Sequence, residues 1–249
     1  MIKTSANDVP YLSRGMLEVT AGLLLHAYGQ QNRKTVTLPI PVDAIMENFL
    51  KLKFSFMDMR EVFGVDDVQG ALWMESAEVG VDHSLDPETN PRMEGRYNFT
   101  VAHEIGHWQL HRRLKLRKAA PQLPFAENEL AANTYVCRSN TRNRAEIQAN
   151  YFASSLLMPK PMLIGVWREL YGDRAMSLNT LRQRGVTVVE TEAWMRQDCF
   201  PKNEDEYLKW LLESMLRPLA ARFRVSLQAM HIRLEELGLL VKTPPALAM

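Results

Sequence analysis

Apolar positions along the chain follow two periods, and the alternation between them lays out the elements before any chemistry is considered. From Ser13 to Tyr28, residues Met16, Val19, Leu23, Leu24 and Leu25 recur at helical spacing and Gly29 offers a stop, which predicts an N-terminal helix. After the polar connection QQNRKT, Pro39 and Pro41 mark the start of a second helix whose apolar face closes with Phe49 and Leu50. Lys53 to Met57 alternates like a strand, and Gly70 to Met74 and Glu78 to Asp82 read as two more, so a small mixed sheet precedes the next helix. The polar stretch from Asp86 to Glu94, with Pro87 and Pro91, is a loop by composition. It hands over to a helix near Asn98, capped by Asn98 or Thr100, with Phe99, Ala102 and Ile105 on its apolar side. A further helix starts at Arg144. Ile147, Tyr151, Ser154 and Met158 trace one side of it, Ala149, Phe152, Leu156 and Leu157 make the rest apolar, and Pro159 with Pro161 ends it, which predicts burial on both sides.

Composition bounds the class. The 249 residues, 46% of them hydrophobic, suffice for one large domain or one domain with a small appendage. No apolar run approaches the roughly eighteen residues a bilayer span needs, and Asp8, Pro10 and Arg14 interrupt the start, so neither a membrane anchor nor a secretory signal is expected. Cys137 and Cys199 make a poor disulfide framework and read as buried or idle thiols in a reducing cytoplasm. A net charge of +1 says little about partners. Beyond His111 the sequence turns basic through Arg112, Arg113, Lys115, Arg117 and Lys118, with no acid before Glu127. Such a run is either a solvated face or an attractant for an acidic peptide or nucleic acid.

Chemistry enters at His103-Glu104-Ile105-Gly106-His107. On a helix, residues four apart stack on one face, so His103 and His107 can offer ring nitrogens to one metal ion. Glu104 sits one step round, outside that pair, where a carboxylate can act as general base. Gly106 has two readings, close packing of a neighbouring backbone or room for substrate or metal. A catalytic zinc usually takes a third protein ligand and keeps one open position. Metzincin spacing fails, because Arg113 stands where its third His belongs and Leu110 where its Gly belongs. His111 lies about 12 Å along the helix from His103, too far for one ion to reach both, and suits a supporting or substrate-facing place better. The stronger candidate is Glu146, which forms an i, i+4 polar pair with Asn150 at the head of a buried helix. A carboxylate there is costly unless paired or bound to metal. As a solvated acid it would still suit a helix N-terminus.

The run Arg96 to His111, together with Glu146-Ile147-Gln148-Ala149-Asn150-Tyr151-Phe152-Ala153 and Leu156-Leu157-Met158-Pro159, resembles the ImmA/IrrE family of bacterial and phage metallopeptidases. The similarity extends to Pro218–Met230 and Arg233–Leu239, which look like that family's closing helical segment. The resemblance implies an α+β fold, a mainly helical zincin-like domain with a small mixed sheet beside the HEXXH helix and a helical C-terminal segment. It implies one Zn2+ per chain held by His103, His107 and Glu146, with Glu104 as catalytic base. His111, Asn150, Tyr97 and Tyr151 are the candidates for supporting the ligands or donating to an oxyanion. The strand around Glu78 to Asp82 is expected to receive an extended substrate beside it. The domains expected are 1–165 for the metallopeptidase, 166–214 for an insertion or linker, and 215–243 for a helix-turn-helix-like segment. The implied partner is a protein substrate, such as a helix-turn-helix repressor, cleaved at a specific site in the cytoplasm. The alternative is a transcription-related regulator that keeps the zinc fold without proteolysis. The rhythm of Leu219 to Leu240, with Ala220, the Val225-Ser226 turn and Ala229, allows DNA contact, but Glu235 and Glu236 offset Arg222, Arg224 and Arg233, which favours packing or partner recognition.

Overall fold

The computed structural model describes residues 9–118, 134–138, 143–177, 180–181 and 204–241, with the backbone alone at 115–118, 134–138 and 204. Cys199 and most of the expected insertion at 166–214 lie outside the described residues, as does the side chain of Cys137. The chain divides into two units, Met1–Pro159 and Lys160–Met249. Among the described residues no helix is long and apolar enough to cross a membrane.

In the first unit, helix α1 (Arg14–Asn32) starts where Ser13 accepts a hydrogen bond from the Met16 amide and ends at Arg33, which takes the left-handed conformation at φ 53°. It thus runs past Gly29. Its buried stripe is Leu17, Ala21, Leu24 and Leu25, while Met16, Val19 and Leu23 are exposed. The apolar residues form two adjacent stripes on this helix, and spacing alone did not show which one faces the core. Ala44–Phe49 winds as a π-helix, its last turn closed by the Leu50 amide on the Ile45 carbonyl, with Ile45 and Met46 buried.

The sheet is mixed, in the order β1-β3-β2-β4, with β1 (Lys53–Met57), β2 (Val68–Trp73), β3 (Glu78–Asp82) and β4 (Thr134–Arg138). Strand β1 runs parallel to β3, with Lys53 opposite Glu78, and β2 runs antiparallel to both β3 and β4. Helix α2 (Met59–Phe63), capped by Asp58 and closed at Gly64, connects β1 to β2. Neither α2 nor β4 was visible in the hydrophobic pattern. The substrate-receiving role expected of Glu78 to Asp82 is corrected by the sheet order. Strand β3 is interior, hydrogen-bonded to β1 on one edge and β2 on the other, and has no backbone edge to offer.

Helix α3 (Glu94–Lys118) lies against β2, β3 and β4. A 3-10 turn, Pro91–Met93, leads directly into it, so Asn98 and Thr100 sit inside the helix and cap nothing. The basic run through Lys118 is the helix's own continuation. Helix α4 (Arg144–Leu157) packs on α3 and on α1 and is buried along most of its surface, though Ile147 is exposed, against expectation.

The second unit holds α5 (Lys160–Tyr171), α6 (Glu204–Phe223), α7 (Leu227–Glu236) and a two-stranded parallel pair, β5 (Met176–Ser177) with β6 (Leu240–Val241). Tyr171 donates to the Met215 carbonyl at 2.6 Å, and Trp167 and Phe223 are fully buried. Helices α6 and α7 are joined by Arg224, at φ 50°, Val225 and Ser226, whose hydroxyl accepts from the Ala229 amide. The expected boundary at 214/215 falls inside α6.

Candidate metal centre

Two helices build the site, and two glycines set their distances. The α3 turns from Val101 to His107 are buried on every side, between the sheet and α4. A Cβ on Gly106 would lie 3.2 Å from both the Cα and the carbonyl oxygen of Ala149 and 3.2 Å from Cδ1 of Phe152. Close helix packing is therefore the reading of Gly106 that the geometry favours. On the sheet side, a Cβ on Gly70 of β2 would meet Thr100 Cγ2 at 2.5 Å and Glu104 Oε1 at 3.1 Å. The glycine leaves the space that the Glu104 carboxylate occupies.

The close approach of α4 brings Glu146 to the histidine pair. Asn143 caps α4 by accepting from the Glu146 amide at 2.9 Å, which fixes Glu146 in the first turn, where the helix dipole favours an anion. Its Oε2 lies 3.1 Å from His103 Nε2, its Oε1 lies 3.3 Å from His107 Nε2, and the two Nε2 atoms are 2.9 Å apart. One ligand atom from each of His103, His107 and Glu146 lies within 4.8 Å of the others, and all three residues are buried.

Each ring is held from behind. His103 Nδ1 meets Asn150 Oδ1 at 2.9 Å, and His107 Nδ1 meets His111 Nδ1 at 3.1 Å. His111 Nε2 in turn meets Gln148 Oε1 at 3.0 Å. Gln148 is the participant that the sequence reading missed. A glutamine inside a helix carries no motif signal, and only the tertiary packing shows its partner. The tyrosines are engaged elsewhere: Tyr97 donates to Asp43 Oδ1 at 2.8 Å, and Tyr151 donates to Glu18 Oε1 at 3.3 Å under the guanidinium of Arg14.

The electrostatics suit a cation. Burial disfavours the imidazolium of His107 and pulls its pKa down to about 3, leaving a neutral ring with a lone pair to give. Burial would raise Glu146, but its close contacts with the His103 and His107 rings outweigh it and hold the carboxylate at about 2. Glu104 is fully buried, and neither of its oxygens has a hydrogen-bond partner among the described residues. Burial pushes it up to about 8, with the His103 charge opposing and Glu146 adding to the rise. The neutral His107 ring, the His103 ring beside it, one anionic carboxylate and a buried carboxyl without a hydrogen-bond partner among the described residues fit a divalent metal ion.

No curated protein matches the chain. Residues 89–184 match the model of the IrrE N-terminal-like domain, a peptidase family, and this span contains the histidine pair, Glu104 and Glu146. The fold, mainly helical with a small mixed sheet, is consistent with that family. Residues 89–184 are thus similar to the IrrE N-terminal-like peptidase domain, and the site they carry is metallopeptidase-like.

Proposed function

We propose that the chain is a zinc-dependent endopeptidase that cuts a regulatory protein at a specific site. The observation that carries this reading is the convergence of His103, His107 and Glu146 beside a buried carboxyl that no group among the described residues satisfies. A structural zinc site closes its fourth position with another protein ligand and gains nothing from a free base alongside.

A bound zinc ion would supply a Lewis acid. The remaining work belongs to the chain's own residues. His103, His107 and Glu146 hold the ion, while Asn150 and His111 orient the two rings. Glu104 takes a proton from the attacking water and returns it to the leaving amine, a role for which a carboxyl that exchanges protons near neutrality is suited. His111 is buried against His107 and serves as a support. With β3 interior, the extended substrate is assigned to the outer edge of β4, which packs beside α3 and pairs with β2 on its other side. A helix-turn-helix repressor in the cytoplasm is the substrate class that the family resemblance suggests.

Glu104→Gln separates this reading from a regulator that keeps the fold without proteolysis. The variant should bind zinc as the wild type does and lose at least about 1,000-fold in cleavage of a helix-turn-helix repressor offered as substrate. Cleavage by both proteins, or by neither at full zinc occupancy, would sink the enzyme reading.

A further inference from the structure

We propose that Gln148 is a positioning residue for the metal pair. It fixes which nitrogen of His107 carries the proton, acting through His111 and anchored on the backbone of the Val9–Pro10 segment. The inference rests on the reading of His103, His107 and Glu146 as metal ligands.

The Pro10 carbonyl oxygen can only accept, and Gln148 Nε2 donates to it at 2.8 Å. That bond orients the amide so that Oε1 faces His111 Nε2 at 3.0 Å. An amide oxygen also can only accept, so a neutral His111 carries its proton on Nε2 and presents a lone pair at Nδ1. His107 Nδ1 lies 3.1 Å from that lone pair and must be the donor. The proton of His107 is thereby held on Nδ1, which leaves the lone pair on Nε2, the atom facing Glu146 and His103. Each of these three donors, on His107, His111 and Gln148, points away from the metal position.

The anchor is held at two points. Arg144 Nη1 donates to the Val9 carbonyl at 2.8 Å, so residues two before and two after Glu146 grip successive carbonyls of one segment. Gln148 is itself buried, which keeps water from substituting for either bond. Without its amide oxygen, His111 is free to move its proton to Nδ1. That proton would face His107 Nδ1, drive the His107 proton onto Nε2 and block the metal-binding lone pair.

The test measures zinc affinity of the full-length wild type, Gln148→Leu and Gln148→Glu by competition with a chromophoric chelator, and records the visible absorption of their Co2+-loaded forms. Gln148→Leu should weaken zinc binding about 10- to 100-fold and alter the cobalt bands. Gln148→Glu keeps an acceptor toward His111 and, when protonated, a donor toward Pro10, so it should stay within about threefold of wild type. Wild-type affinity in the Leu variant, or equal loss in both variants, overturns the proposal. Imidazole 15N shifts of the metal-free wild type give an independent reading: His111 should be protonated at Nε2, and protonation at Nδ1 overturns the proposal. A wild-type chain that takes up no zinc removes the metal reading and this proposal together. Normal uptake that ignores Gln148 removes this proposal alone.

Discussion

Glu104 sits where burial makes its charge costly to the fold. Its carboxyl titrates near 8 in the folded chain against an ordinary 4.5, so between those values the folded state binds the extra proton. Stability contributed by the protonated acid is complete below about 4.5 and declines as pH rises to about 8, at about 1.4 kcal/mol per pH unit while the difference lasts. His107, depressed to about 3 from 6.5, contributes the opposite slope over its own window. That slope is common to wild type and Glu104→Gln and cancels between them. Denaturant unfolding of the two metal-free proteins should therefore show the Gln variant gaining a few kcal/mol on wild type between pH 5 and 8. A difference that does not change with pH would show that Glu104 is not desolvated as described. The histidine pair and Glu104 were legible in the sequence because their relation is local, three residues within five positions of one helix. Glu146 was legible through cost, as a carboxylate at the head of a buried helix. Gln148 was not, because its meaning lies in partners as distant in sequence as His111 and Pro10.

At the scale of elements, the contact between α3 and α4 controls the site. The two helices approach closely because Gly106 presents no side chain to Ala149 and Phe152. Gly106→Ala gains helix propensity but must push α4 outward by a few tenths of an ångström, and Gly106→Leu must push it much further. The Ala variant should cost roughly 1–3 kcal/mol of stability, and the Leu variant more, with zinc affinity falling in the same order. Chemical denaturation with zinc titration checks both, and unchanged affinity in a folded Leu variant would show that helix separation does not govern the ligand geometry. Periodicity found most of these elements but not their order. Alternation marked Glu78 to Asp82 as a strand, yet whether a strand is interior or at an edge depends on partners such as β4, which no local pattern supplied. The start of α3 was placed late for a related reason. The 3-10 turn at Pro91–Met93 delivers the chain to the helix at Glu94 without a side-chain cap at Asn98 or Thr100.

For the molecule as a whole, the division after Pro159 lies in Met158-Pro159-Lys160-Pro161, where two prolines already mark a break in the sequence. The three residues that could hold a metal ion all fall before that division, His103 and His107 on one helix and Glu146 on another. An ion bridging them would be a reversible staple between stretches that the unfolded chain leaves far apart. It would bind the folded chain and barely at all the unfolded one. Unfolding free energy should then rise by about 1.4 kcal/mol for each tenfold increase in free zinc above the dissociation constant, the slope for one ion per chain. Glu146→Ala should flatten that rise, and a slope twice as steep would mean a second ion. With an ion held there, thermal stability would become a gauge of free metal, set by where α3 and α4 meet.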